Sequence, residues 1–126
     1  MILGIGVDLV DIARIKALMG KYGERFITRV FSPEEIEYCT RRHDAAACLA
    51  GRFAAKEAAF KALSADRFSG IGFKEIQIIV REGKPELALE GKAKEKAQHL
   101  GITRTYLSIS HDKGCAVAMV VLGGVG

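Results

Sequence analysis

No apolar run in this 126-residue sequence approaches the roughly 20 residues a helix needs to cross a bilayer, so a membrane span is not expected. The opening MILGIGVDLV is apolar, but no basic segment precedes it and a carboxylate arrives already at Asp8. A secretory signal peptide is therefore not expected. Cysteine is scarce: Cys39, Cys48 and Cys115 are far apart, form no Cys-x-x-Cys, and do not cluster with His43, His99 or His111. Neither a zinc site nor a disulfide framework is expected, and a reducing, cytoplasmic setting follows. The phosphate-cradling Gly-x-x-x-x-Gly-Lys and the hydrolase Gly-x-Ser-x-Gly are both missing. GIGVDLVDI lacks the correctly spaced third glycine of a dinucleotide fingerprint. There is no internal repeat, no low-complexity tract and no linker.

What is present is ordinary in bulk. A hydrophobic fraction of 49% and a charged fraction of 27% suit a globular protein, and the length suits a single domain over residues 1–126. The net charge of +4, from 19 basic and 15 acidic residues, is mild but unevenly spread. Between Ile12 and Val30 lie Arg14, Lys16, Lys21, Arg25 and Arg29 against Glu24 alone. On an unbroken helix Arg14, Lys21 and Arg25 share one stripe, although Gly20 and Gly23 are expected to interrupt it. Such a stripe is either a solvated face or a dock for an acidic partner.

The pattern along the chain is α+β. Ile2 to Asp8 reads as a strand containing Gly4 and Gly6, followed by a helix from about Asp11. Ser32-Pro33-Glu34-Glu35 carries every mark of a helix start: a capping serine, proline at the first position and a capping-box glutamate. That helix should end near Arg41, and a longer, alanine-rich one should span Asp44 to about Ser64. Beyond Gly72 the periodicity changes: FKEIQIIV and PELALE read as strands, GKAKEKAQHLG as a polar helix. TRTYLSIS is an alternating strand, His111 opens the turn HDKG, and CAVAMVVL is a strand apolar on both faces. Helices packed on a mainly antiparallel sheet are the expected architecture. Either a helix or a partner subunit must cover the second face of the last strand, which favours an oligomer. The tail GGVG reads as a disordered end.

One helical stretch departs from its own composition. FAAKEAAFKAL (Phe53–Leu63) places Glu57 and Lys61 one turn apart on a shared face, among Phe53, Ala54, Ala55, Ala58, Ala59 and Phe60. The pair is either a surface ion pair of a few tenths of a kcal/mol or a functional site, since charges are seldom buried without a partner or a metal. Asp8, at a strand end beside glycines, is either a turn residue or a ligand for a hard cation. Magnesium takes one or two carboxylates and completes its shell with water and phosphate oxygens. Asp8 and Glu57 can supply those carboxylates, with Lys61 and Arg52 supplying positive charge for a phosphate. Metal-assisted phosphoryl chemistry is one reading. A metal-dependent phosphohydrolase or nuclease uses the same residue types, and a basic nucleic-acid-binding module is a further alternative. Against the last, Phe73 and Tyr106 are the only aromatic candidates for stacking on the later strands.

GIGVDLVDIARI at Gly4–Ile15 and RFAAKEAAFKAL at Arg52–Leu63 resemble the two signatures of the 4′-phosphopantetheinyl transferases. With the short length and the late SISHD, the resemblance is to the small holo-acyl-carrier-protein synthase type, and it covers essentially the whole chain. It implies transfer of 4′-phosphopantetheine from coenzyme A to a serine of apo acyl carrier protein, releasing adenosine 3′,5′-bisphosphate. It further implies Mg²⁺ on Asp8 and Glu57, Lys61 at the phosphate, and Arg52 and His111 near the nucleotide end. Arg14, with Lys21 and Arg25, would face the acidic carrier protein. A homotrimer with active sites between subunits is implied as well, with no nucleic acid or membrane as partner. One departure stands out: after the second signature comes LSADRFSGIGF, with Ser64 where the resemblance calls for glycine.

Overall fold

A helix that is apolar on every side has to be surrounded, and the alanine-rich segment is. In a computed structural model, which describes residues 1–65 and 69–125, this helix is α4 (Ala45–Ala62), and 13 of its 18 residues are buried. Before it come β1 (Ile2–Asp11), α1 (Ile12–Tyr22), α2 (Glu24–Val30) and α3 (Pro33–Thr40). After it come a 3₁₀ turn at Phe73–Glu75, β2 (Ile76–Arg81), β3 (Lys84–Leu89), α5 (Gly91–His99), β4 (Ile102–Asp112) and β5 (Cys115–Gly124). Strands β1, β5 and β4 lie in that order in one antiparallel sheet, while β2 and β3 form a separate two-stranded ladder. The antiparallel architecture is the expected one; its division into two sheets was not foreseen.

The larger sheet lies on α4. Ala116, Ala118, Val120 and Leu122 of β5 are buried on that side, because successive side chains of a strand point to opposite faces. Among the described residues, nothing covers the other side. Ile5, Val7 and Leu9 of β1, Met119 of β5 and Tyr106 of β4 are each 47–68% exposed there. They adjoin through the pairs Val7–Met119 and Ile5–Val121 and Tyr106–Val121.

Helix starts follow local chemistry closely. Asp11 caps α1 through the Ala13 N–H (3.1 Å), and Asp44 caps α4 through the Ala47 N–H (3.1 Å). Ser32 and Glu35 form the expected capping box. Four features differ from expectation. Gly20 lies within α1, and only Gly23, at φ 57°, breaks the helix. His111 and Asp112 belong to β4, and the turn is Lys113-Gly114, both at positive φ. The tail is not loose: Met1 and Gly124 exchange hydrogen bonds, closing β1 against β5, while Gly126 lies outside the described residues. Cys39 and Cys48 are joined by a disulfide. They stand nine positions apart in sequence, but the tight turn from α3 into α4 brings their Cα atoms to 5.4 Å, a separation that suits a bridge. Cys115 is free.

Ser64 closes α4 in the left-handed region, at φ 55°. Its N–H donates to the Lys61 carbonyl and that of Ala65 to the Phe60 carbonyl (3.0 and 2.9 Å). This bond pair is the helix ending that glycine usually supplies. The backbone is thus that of a glycine position, held by serine at a cost on the order of 1 kcal/mol. Asp66, Arg67 and Phe68 of the following loop lie outside the described residues.

The most deeply placed polar group is Lys56, which is fully buried. Its ammonium donates to the Phe73 and Ile76 carbonyls at 2.9 and 2.7 Å and pairs with Glu35 at 2.9 Å. Glu35 also accepts from the Ser32 and Ile78 N–H groups (2.8 and 2.9 Å). The pair ties α3, α4 and β2 together through one carboxylate. Lys56→Met leaves that buried carboxylate without its cation. A loss of about 3–5 kcal/mol in urea unfolding is expected, and a loss below about 1 kcal/mol would show that the pair is not what holds these elements together.

Candidate active site

The site begins with an approach that side chains would forbid. A Cβ on Gly4 would overlap the carbonyl oxygen of Ala62, and one on Gly6 that of Ala58. Glycine at both positions lets β1 lie directly on the backbone of α4. Strand alternation then puts Asp8 on the same face as Gly4 and Gly6, and it is the first of the three with a side chain to point at the helix. Lys61, one turn after Glu57, meets it: its ammonium donates to the Asp8 carboxylate and to the Val7 carbonyl, both at 3.0 Å.

Glu57 completes the cluster. It is half-buried, and burial pushes its carboxyl above the ordinary value. The negative charge of Asp8 adds to that push, and Lys61 and Arg14 oppose it. Two carboxylates therefore converge with one lysine and one arginine around them. The second cation at Glu57 is Arg14, from the first turn of α1, and not Arg52.

Arg52 and His111 lie together elsewhere. Glu57 comes five positions after Arg52, about 7.5 Å further along the helix and about 140° around it. Arg52 instead lines a pocket of about 360 Å³ with Tyr38, Arg42, His43 and His111. Arg52 is buried, and its Nε has no hydrogen-bond partner among the described residues. Burial pushes its pKa down; Tyr38 opposes this by its charge interaction and a hydrogen bond, as does Glu35, while Arg42 adds to the lowering. An anion entering this pocket would find two guanidiniums, one holding an unused buried N–H. Tyr38 and Arg42 were not singled out from sequence, because nothing local marks a tyrosine near a helix end.

The basic stripe survives in part. Arg14 and Lys21 are seven positions apart on α1, within about 20° of each other. Arg25 belongs to α2, beyond the break at Gly23. It borders an open groove of about 850 Å³ with Leu18, Tyr22, Phe26, Arg29 and Lys74. Among the described residues, no group of three or more His, Cys, Asp and Glu side chains is placed to hold a metal ion, and no helix is long and apolar enough to cross a membrane.

Two carboxylates and a lysine meet where a strand lies on a helix, and a separate cationic pocket holds Arg42 and Arg52; both are residue sets of the kind that bind phosphorylated groups. A sequence model of the 4′-phosphopantetheinyl transferase superfamily matches residues 4–118, and the chain belongs to that family. It is 45% identical to a holo-[acyl-carrier-protein] synthase of Anaeromyxobacter sp. (strain K), over 100% of this chain and 99% of that one. Among solved structures it resembles the holo-[acyl-carrier-protein] synthase of Neisseria meningitidis (TM-score 0.89, 35% identity, covering 98% and 99% of the two chains). It also resembles the Helicobacter pylori synthase solved in complex with coenzyme A (TM-score 0.83, 37% identity, 94% and 99%). Family membership decides against the nuclease and nucleic-acid-binding alternatives.

The raised Glu57 carboxyl has a consequence for stability. At low pH the group is protonated in both folded and unfolded chains. As pH rises the unfolded chain ionises first, and the folded state loses stability until its own, higher value is passed. Glu57→Gln should therefore raise the Tm of the ligand-free protein at pH 7 and leave it unchanged near about pH 3. An equal shift at both pH values, read by thermal melting, would contradict this origin.

Proposed function

We propose that this protein transfers 4′-phosphopantetheine from coenzyme A to a serine hydroxyl of apo acyl carrier protein, with Mg²⁺, releasing adenosine 3′,5′-bisphosphate. The observation that carries the reading is the convergence of Asp8, Glu57 and Lys61 where β1 lies on α4. The donor set fits the metal. Two carboxylates that repel each other, one of them reluctant to ionise, suit a hard cation whose remaining ligands come from water and phosphate. Asp8 and Glu57 would hold Mg²⁺, which when bound offsets negative charge on the pyrophosphate.

The chain's own groups do the positioning. The Lys61 ammonium has three donors, and Asp8 and Val7 take two of them. Among the described residues the third has no partner, and it could reach a phosphate oxygen, where it would stabilise charge developing as the serine attacks and the nucleotide phosphate departs. Arg52 and His111, in their separate pocket, would take the nucleotide end of coenzyme A. Orientation and electrostatics, rather than covalent chemistry by the protein, would supply most of the rate.

The open sheet face supports assembly. A contiguous exposed apolar surface marks an interaction site, and Ile5, Val7, Leu9, Tyr106 and Met119 provide one. In our reading a homotrimer covers this face, and neighbouring subunits complete each site by bringing one chain's Arg52–His111 pocket toward another's Asp8 and Glu57. Residues 1–126 act as one transferase domain, working in the cytoplasm in lipid metabolism, chiefly fatty acid biosynthesis. In a reducing compartment the Cys39–Cys48 pair stands as two thiols. Arg14, Lys21 and Arg25 would dock the acidic carrier protein, and complementary charge would make encounter salt-sensitive.

An intact mass spectrum of apo acyl carrier protein, after incubation with this protein, coenzyme A and Mg²⁺, tests the reading. A gain of one phosphopantetheine is expected, lost on chelation and lost in Asp8→Ala and Glu57→Ala. No gain with a folded apo carrier would refute the activity, and wild-type turnover by either variant at limiting Mg²⁺ would refute the metal assignment. Arg14→Ala should raise KM for the carrier by about tenfold, in the range of a lost charge pair at an interface, and, because Arg14 also acts on Glu57, weaken coenzyme A binding by calorimetry by a clearly smaller factor. Equal loss of both would argue against docking.

A further inference from the structure

Two of the chain's three sulfurs meet at one turn, and a reducing compartment leaves them as thiols. Cys39, near the end of α3, is fully buried. Cys48, in α4, is partly buried and lines the Arg52 pocket. Their Cα atoms are 5.4 Å apart, and contacts other than the bridge fix that spacing. The Lys56–Glu35 ion pair joins α4 to α3, Asp44 caps α4, and the Arg42 N–H donates to the Cys39 carbonyl at 3.0 Å. Reduction therefore leaves the thiols within bridging reach. A reaction between them is intramolecular, with the high effective concentration of groups held as neighbours.

We propose that Cys48 and Cys39 form a peroxide-reactive dithiol, in which Cys48 is oxidised first and Cys39 closes a reversible bridge that fastens the α3–α4 turn. The surroundings assign the roles. Cys48 shares its pocket lining with Arg42, Arg52, His43 and His111, and nearby cations favour the thiolate, which is the reactive form. Asp44, the carboxylate in that lining, is engaged by the Ala47 N–H. Cys39 is closed to solvent and can react only through Cys48, while Cys115 is free and has no second sulfur to meet. The Cys48 thiolate attacks hydrogen peroxide, the O–O bond breaks, and a sulfenic acid and water result. The Cys39 sulfur then attacks the Cys48 sulfur, the S–O bond breaks, and a second water carries off the Cys39 proton. Two thiols are oxidised and one peroxide is reduced, short of the irreversible sulfinic stage. The closed loop contains Arg42, His43 and Asp44, so the bridge fixes one wall of the pocket to α4 and restricts the unfolded chain. This chemistry is independent of the transfer reaction.

The test uses the full chain, reduced with dithiothreitol, freed of it, and titrated with hydrogen peroxide. The intact mass is expected to fall by two hydrogen atoms before any oxygen is gained, with peptide mapping joining Cys39 to Cys48. Dithiothreitol should restore the starting mass by thiol–disulfide exchange. The oxidised chain should melt roughly 5–10 °C above the reduced one. Cys39→Ala should lose both the bridge and the gain in Tm, and retain at Cys48 a sulfenic acid that dimedone traps. Cys48→Ala should leave Cys39 unoxidised over the same titration. Oxygen gained on Cys115 before the bridge forms, a bridge that includes Cys115 or joins two chains, equal melting of the two wild-type forms, or trapping at Cys39 in Cys48→Ala would each overturn the proposal. Should either variant fail to fold, the mass and melting of the wild-type chain still decide.

Discussion

The direct contact between β1 and the backbone of α4 is the constraint on which the site depends. Gly4 and Gly6 leave no room for any side chain against the Ala58 and Ala62 carbonyls, and the helix answers with alanines on the facing side. Because that approach is so close, the first side chain to project from this face of β1, Asp8, arrives at the level of Glu57 and Lys61. The glycines thus set the position of a carboxylate they do not touch. The same closeness half-buries Glu57 beside a second carboxylate, and burial is the main cause of its raised pKa. A site poised for a cation is in this sense a consequence of backbone packing.

Two charged residues of one helix face opposite fates. Lys56 and Glu57 are neighbours in sequence, and helix geometry sends them about 100° apart. Lys56 turns into the core, where Glu35 and two carbonyls satisfy it; Glu57 turns to the rim, where Asp8 leaves it under strain of charge. The first ties the helices to the small β2–β3 ladder and the second is left for chemistry. Around them the fold remains open in two places that a single chain does not close. The outer face of the large sheet is apolar and exposed, and the Arg52 pocket sits on a different side of α4 from the carboxylates. Both features are reasonable in an assembly and costly in isolation, which is why the proposed function includes neighbouring subunits.

Legibility in the sequence followed the range of the interaction. The capping box at Ser32 and Glu35 was readable because its two partners are three residues apart, and the caps at Asp11 and Asp44 for the same reason. The helix at 45–62, the β4 alternation and the two-faced β5 were readable from periodicity. Asp8, Glu57 and Lys61 were grouped from sequence by residue type, as candidates for a cation and a phosphate; the contact between Lys61 and Asp8 depends on the close approach of β1 to α4 and was not readable there. The Lys56–Glu35 pair was not readable: Glu35 already had a local role as the capping residue, and nothing in the pattern showed that one carboxylate serves both. The Cys39–Cys48 bridge was missed because distance along the chain was a poor guide across a turn between two helices.

Composition, periodicity and local capping therefore determined the class of fold, the order of its elements and the residue types available for phosphoryl chemistry. These properties depend on neighbours within a turn or two, and such neighbours are visible in the chain. Tertiary structure alone decided that Arg14 rather than Arg52 shares the carboxylate cluster. It also placed Tyr38 beneath two guanidiniums and divided the cationic stripe at Gly23 between two helices. Each of these turns on the angle at which one element crosses or follows another. That angle is set by packing around α4 as a whole, and no short stretch of sequence encodes it.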